Sequence, residues 1–196
     1  MTGVQTCALP IYLHASTLVV LGERDPVAQT LSFVAAWALW SSIGVSCAEL
    51  KWPNDIVVGG RKLAGILLER NGSLVVAGFG VNIAHAPALI DQPTTCLNEW
   101  AIDDGGVEPL DIFTLLQARF EESLGKWRTE GFGLIRRLWE SEGPSRGDLL
   151  RVDLQNGMYV QGAYDGLADD GALRLLLASG RAELVYAGDV SMIEEY

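Results

Sequence analysis

The sequence predicts an α+β protein: a mixed to antiparallel sheet with helices packed on it, followed by a small C-terminal β-barrel of SH3-like type. Three observations predict it. Strand-like runs between Cys47 and Ile83 are joined by hairpin signals at Gly59-Gly60 and Asn71-Gly72, and consecutive hairpins build an antiparallel meander rather than a doubly wound parallel sheet. Apolar residues recur at helical spacing over residues 27–43 and 110–127. From Leu149 onward, short β-rich runs alternate with turn residues, as in a small barrel.

Residues 12–21, YLHASTLVVL, are rich in β-branched and aromatic side chains and read as a strand. Gly22 to Pro26 is a turn, in which Asp25 is placed to cap the next helix with Pro26 at its first position. Over residues 27–43, Val27, Leu31, Val34, Ala35, Ala38 and Leu39 mark a helix expected to be largely buried, and Gly44 ends it. Residues 47–52 form a short strand, Pro53-Asn54 a turn and 55–58 a second strand. Gly59-Gly60 reverses the chain, because glycine reaches positive φ without a Cβ clash. Residues 62–69 return, Asn71-Gly72 turns again, and 74–83 is a further strand. Residues 85–109 are loop-like. Residues 110–127 and 132–141 read as helices, the first with Ile112, Leu115, Leu116, Phe120 and Leu124 on one face. A domain boundary is expected near Gly143-Pro144. Strands follow at 149–152, 158–164, 172–177, 181–185 and 190–193, with turns at Asn156-Gly157 and Asp169-Asp170-Gly171.

Residues 1–11, MTGVQTCALPI, show neither strand nor helix period and resemble translated sequencing adapter. They are set aside as non-native, and the reading starts at Tyr12. Formal net charge is −11, which repels phosphate backbones and argues against nucleic-acid binding by these residues. It does not exclude small anions, since one local lysine outweighs distant acidic surface within a Debye length. Cys7, Cys47 and Cys96 form no metal or redox spacing and read as idle thiols in a reducing cytoplasm. The longest apolar stretch, residues 31–45, is broken by serines and falls short of the ~20 residues that span a bilayer. No signal-peptide pattern opens the chain, so a cytoplasmic protein with no membrane partner is expected.

Chemistry concentrates in residues 51–69, KWPNDIVVGGRKLAGILLE. Lys51, at a strand end before a Trp-Pro turn, is held as a compact positive charge suited to a carboxylate or phosphate. Asn54 and Asp55 follow in the turn and can orient groups or a metal. Lys62, past the hairpin, can return to the same region. Gly65 lets a ligand approach the sheet closely. By composition alone the signal is weak: a strand-terminal lysine is usually solvated, and Asn-Asp after proline is usually a turn. Trp52 reads as a core residue as readily as a site wall. GFGVNI, residues 78–83, is not a GxGxxG loop before a helix and is not read as a dinucleotide site. His14 and His85 are isolated in sequence, and neither is expected to act as a base.

KWPND, RKLAGIL and GFGVNI, in this order and spacing, resemble the biotin protein ligase family. YLHAS at Tyr12 resembles the family segment where Gly-Asn-Leu-Tyr precedes an alternating strand. GAYDGLADDGAL at Gly162 and GDVS at Gly188 resemble its C-terminal domain. The resemblance implies a class II synthetase-like catalytic domain, here partial, over residues 12–143, and an SH3-like domain over 144–196. It implies a two-step reaction. Biotin's carboxylate attacks the α-phosphate of ATP to give biotinyl-adenylate, and a lysine of a biotin carboxyl carrier protein then attacks the mixed anhydride. Positive charge is needed where negative charge accumulates. The resemblance gives Lys51 that catalytic role, places Lys51 and Gly65 against the biotin and adenylate, and places Asn82 near the nucleotide and its metal. Trp52, Asn54, Asp55 and Lys62 are supporting residues. Mg²⁺ is expected to bridge the ATP phosphates rather than to sit in a protein cage. Homodimerisation is common in the family, but nothing in the sequence specifies an interface.

The sequence departs from the family upstream. The family's Gly/Arg-rich biotin loop should lie just before Tyr12 and is absent, as are an upstream strand and any helix-turn-helix. That loop closes over the adenylate and excludes water, so the chain is expected to be N-terminally truncated and poorly active or inactive. The strand at Tyr12 is expected to be an exposed edge, prone to aggregation. Two other readings stand beside the ligase. A lipoyl or octanoyl transferase would share the general fold, and a non-catalytic carrier-binding module would suit the acidic surface. KWPND with RKLAGIL favours biotin.

Overall fold

Period-two burial organises the first half of the chain. Along β2 (Tyr12–Val20), Leu13, Ala15, Thr17 and Val19 are buried while His14 and Ser16 face the other side. The same alternation runs along β6 (Leu74–Asn82), where Val75, Ala77, Phe79 and Val81 are buried. These are adjacent inner strands of a six-stranded sheet. A computed structural model describes residues 4–9, 11–88, 92–100, 107–154 and 157–193, with 4–9 described in backbone only. The other strands are β1 (Val4–Leu9), β3 (Ala48–Lys51), β4 (Asp55–Val58) and β5 (Arg61–Asn71), in the order β1-β2-β6-β5-β4-β3. Every neighbour is antiparallel.

Helices α1 (Leu31–Ile43), α2 (Pro109–Glu130) and α3 (Phe132–Ser141) cover the buried face. Phe79 of β6 meets Phe120 of α2 edge-on at 5.7 Å between ring centroids, and the buried Trp127 indole donates to Thr30 Oγ1 at 2.8 Å. Among the described residues, the opposite face carries no helix, and it holds the candidate site described below.

Three expectations are corrected. Residues 1–11 were expected to lack strand structure, yet β1 pairs with β2 from Val4↔Thr17 to Leu9↔Tyr12. The backbone groups of β2 recruit a partner regardless of side-chain period, so β2 is not the sheet edge. Asp25 does not cap α1. A single 3-10 turn, Ala28–Thr30, precedes the helix. Asp25 instead accepts the Gly22 N–H at 3.0 Å and pairs with Arg128 at 3.3 Å. The helix expected at 110–127 runs further, to Glu130, before Gly131 breaks it at φ +78°.

In the C-terminal part, β7 (Leu149–Asp153), β8 (Tyr159–Leu167), β9 (Leu173–Leu176), β10 (Ala182–Val185) and β11 (Asp189–Met192) form a second antiparallel sheet in the order β10-β9-β8-β7-β11. Successive strands β10 and β11 lie on opposite edges, an arrangement compatible with a small barrel. Asn156, read as a turn residue, lies outside the described residues; Gly157 follows at φ +79°. The core does not stop at Gly143-Pro144. One buried cluster runs from Leu13 to Val190. Phe33 packs on Phe132 and Trp139 at 5.2 and 5.5 Å, and a Cβ at Gly171 would lie 2.5 Å from Phe33. Among the described residues, no helix is long and apolar enough to cross a membrane.

Candidate active site

On the open face, antiparallel register aligns residues in rows. His14 pairs with Gly80, which pairs with Gly65; Ser16 pairs with Gly78, which pairs with Leu67. Three glycines therefore leave the middle of the sheet bare, where a side chain would otherwise stand. They floor a cavity of about 610 Å³, whose walls include His14, Ser16, Asn54, Asp55, Lys62 and Leu67. A smaller cavity of about 220 Å³ shares His14, Lys62, Gly65 and Gly80 with it and continues to Tyr12, Asn82 and Thr94. A third pocket, about 310 Å³, lies on the buried side between the sheet and α2. It is walled mainly by Phe79, Phe113, Leu116 and Phe120, and no lysine reaches it.

Lys62 reaches the open face through a β-bulge. Strict alternation would put Lys62 on the core face with Ala64 and Ile66. The β4–β5 register slips between Ile56 and Val57, so that Ile56 pairs with Ala64, Val57 pairs with Lys62, and Leu63 has no partner. Leu63 and Ala64 are both buried, and the ammonium turns toward Gly65. Bulges re-aim side chains in this way next to active sites. The backbone of Lys62 is strapped on both sides by the loop that follows β6. Its N–H donates to Pro93 O at 2.8 Å, and its carbonyl accepts from Thr95 N–H at 2.9 Å. Asn82 reinforces the strap, its side-chain amide donating to Thr95 O at 2.9 Å. Farther along the same loop, Arg61 lies 2.7 Å from Glu99 and stacks over Trp100. The Arg61 guanidinium holds the Glu99 carboxyl below the usual range, while burial pushes the neighbouring Cys96 thiol up.

The Lys62 ammonium lies 2.7 Å from Asp55 Oδ1. Asp55 is nearly buried, and its other oxygen has Gln92 Nε2 at 3.4 Å. The contact to Lys62 is ionic rather than a well-directed hydrogen bond, so an incoming oxygen can compete for the same ammonium. A Cβ at Gly65 would sit 3.2 Å from Lys62 Cε and 3.3 Å from Asp55 Oδ1. The glycine is thus required by the pair beside it as much as by the floor. Asn54 ties the turn to β5 twice, its amide donating to Ile66 O at 2.6 Å and its carbonyl accepting from Ile66 N–H at 2.9 Å.

Lys51 stands elsewhere. It is opposite Asp55 in register, yet its ammonium lies 2.8 Å from Asp189 Oδ1 of the C-terminal sheet. It walls neither cavity. Lys51, expected to meet the ligand, has in this structure a tertiary partner from β11 that holds its charge. Trp52 is buried and its indole donates to Gly171 O at 3.1 Å, so it joins the two sheets. The structure therefore brings Asn54, Asp55, Lys62 and Gly65 together, sets Asn82 at the adjoining cavity, and leaves Lys51 and Trp52 out. His14, Ser16, Gly78 and Gly80 were not assigned to the site from sequence. Their signal was the shared face of two alternating strands, which becomes visible once β2 is paired with β6. Among the described residues, no group of three or more His, Cys, Asp and Glu side chains is placed to hold a metal ion.

Residues 13–83 match the profile of the Biotin/lipoate A/B protein ligase family. The chain is 33% identical to a biotin–[acetyl-CoA-carboxylase] ligase of Paracoccus denitrificans, over 92% of this chain and 82% of that protein. It is 36% identical to a biotin–[acetyl-CoA-carboxylase] ligase of Mycobacterium tuberculosis, over 82% of this chain and 61% of that one. Among solved structures it superposes on the biotin protein ligase of Aquifex aeolicus in complex with biotin and ATP. That match has a TM-score of 0.77 at 21% identity and covers 94% and 79% of the two chains.

Proposed function

This chain belongs to the biotin protein ligase family, and from that premise we propose that it is an ATP-dependent biotin ligase, joining biotin to AMP and passing the biotinyl group to a lysine of a biotin carboxyl carrier protein. The observation that carries the reading is the Lys62–Asp55 pair beside a glycine floor. In the first step a biotin carboxylate oxygen attacks the α-phosphorus of ATP, and pyrophosphate leaves. In the second, the acceptor amine attacks the acyl carbon, and AMP leaves. Both steps gather negative charge on oxygens near one point, where a preorganised cation stabilises it most. Lys62, re-aimed by the bulge and strapped by residues 93–95, is that cation in place of Lys51. Asp55 holds the ammonium in position until the ligand's oxygens arrive. The larger cavity suits the biotinyl part and the smaller one, near Asn82, the nucleotide. Magnesium would enter with the ATP phosphates, as part of the substrate. The relatives at 33% and 36% identity are named biotin ligases, which favours biotin over a lipoyl substrate. We place the reaction in the cytoplasm, with its ATP supply.

Titration calorimetry with non-hydrolysable analogues of biotinyl-adenylate and lipoyl-adenylate tests the reading. The biotinyl analogue is expected to bind the more tightly. Lys62→Ala is expected to weaken it by about 10- to 100-fold, the scale of one lost hydrogen bond to a charged group. Tighter binding of the lipoyl analogue, or no binding of either, overturns the proposal.

A further inference from the structure

His14 holds a position that the two-step reading leaves without a role. It stands exposed on the open face, across from Gly80, where a Cβ on that glycine would come within 3.9 Å of its Nδ1. With Lys62, Gly65 and Gly80 it is one of the four residues common to the two cavities. If the larger cavity takes the biotinyl group and the smaller one the nucleotide, the acyl–phosphate bond crosses this junction.

The transfer step needs a base there. A lysine amine is ordinarily protonated at neutral pH, with a pKa of about 10.4; its free-amine form is the one that attacks, and that nitrogen must shed one further proton as it becomes an amide. The titratable walls of the larger cavity are His14, Asp55 and Lys62. Asp55 and Lys62 engage each other at 2.7 Å. Among the described residues, no hydrogen bond or ion pair holds the His14 imidazole. Its ring neighbour is Tyr12 on the same strand, at 6.0 Å, with His85 beyond Tyr12 at 6.3 Å. From the other elements, β5 presents Lys62, β4 presents Asp55, and β6 presents glycine. Cys7 of β1 is the register partner of His14 in the backbone. A neutral imidazole carries a ring-nitrogen lone pair that can accept a proton, which is what a general base requires.

We propose that His14 is the general base of the transfer step. As the acceptor nitrogen attacks the biotinyl carbonyl carbon, the C–N bond forms and the bond from that carbon to the phosphate oxygen breaks. AMP leaves with the electron pair, and the proton on nitrogen passes to the imidazole. No oxidant or further reactant is required. The inference rests on the ligase reading and departs from the expectation that neither histidine acts as a base.

The test supplies chemically prepared biotinyl-5′-AMP and a biotin carboxyl carrier domain to the full chain. Single-turnover transfer is followed from pH 6 to 9 for the unaltered protein, His14→Ala and His14→Gln, and binding of the non-hydrolysable analogue is measured in parallel. Transfer by the unaltered protein, even at a low absolute rate, is expected to rise with pH in one step. Both variants are expected to be slower by ~100-fold or more, the usual scale of general-base catalysis, and to lack that step, with analogue affinity kept within a few-fold. Added imidazole should restore part of the rate to His14→Ala but not to His14→Gln. Unchanged rates and profiles in the variants overturn the inference. So does an affinity loss that matches the rate loss, which would make His14 a binding residue. Analogue binding with no transfer above the buffer rate overturns the role of His14 while sparing the ligase reading. No analogue binding removes both.

Discussion

Lys51 of β3 and Lys62 of β5 lie on either side of β4, each beside a turn, and each ends on an aspartate at nearly the same distance, 2.8 and 2.7 Å. What differs is the surroundings. The Asp55 carboxylate is 12% exposed and faces a cavity, whereas Asp189, on the edge strand β11 of the second sheet, is 75% exposed. A charge pair in a partly enclosed, low-dielectric pocket acts strongly on whatever enters it, while an exposed pair is screened by water and salt. Chemistry is thus assigned by the room around an ammonium and the freedom of its partner, not by the presence of a lysine at a strand end.

The largest expected effect breaks the comparison from the Lys51 side. Trp52 follows Lys51 directly, is fully packed, and bonds the C-terminal sheet through Gly171. Trp52→Ala is expected to cost about 3–5 kcal/mol of stability, the usual range for deleting a buried tryptophan, read as a lowered urea midpoint. If stability held and only ligand affinity fell, this end of the segment would belong to the site after all. The next effect sharpens the comparison from the Lys62 side. A methyl at Gly65 presses on both members of the pair, and overpacking of this kind costs about 1–3 kcal/mol. Gly65→Ala is expected to weaken the biotinyl-adenylate analogue by roughly tenfold or more, with a smaller change in melting temperature. Unchanged affinity would show that the pair shifts freely and that its placement is not set by the glycine.

The legible parts of the fold were those written in local periods. β-Branched and aromatic composition marked β2, the hairpin signals at Gly59-Gly60 and Asn71-Gly72 bounded β5 and β6, and Gly59 and Gly60 do take positive φ, +56° and +71°. The helix at Phe132–Ser141 was bounded to the residue. The site was only half legible, because its key placement breaks the period. Leu63 and Ala64 are consecutive and both buried, which no regular strand with one open face permits, and that adjacency was the sequence's trace of the bulge that frees Lys62. The ion pair of Lys51 had no local trace: its partner lies 138 residues away, and only the packing of the second sheet brings Asp189 near. His14 looked isolated for the same reason. Its neighbours at the cavity come from β4, β5 and β6, and sequence distance hides them.

The smallest expected effect is the one that separates the two lysines most cleanly. Lys51→Ala removes a pair whose acidic partner remains well hydrated, so no buried charge is left unpaired, and exposed pairs are worth about 0–1 kcal/mol. Stability is expected to fall by no more than that, and less in high salt. Affinity for the biotinyl-adenylate analogue should stay within a factor of about two to three, since the ammonium walls neither cavity and a loss of that size is under ~1 kcal/mol. Reversing the pair, Lys51→Asp with Asp189→Lys, should restore the lost stability, because the two positions face each other wherever the charges sit. If Lys51→Ala instead weakened the analogue as much as Lys62→Ala does, the ammonium would have to leave Asp189 when ligand binds. The contrast between a structural lysine and a catalytic one would then fail.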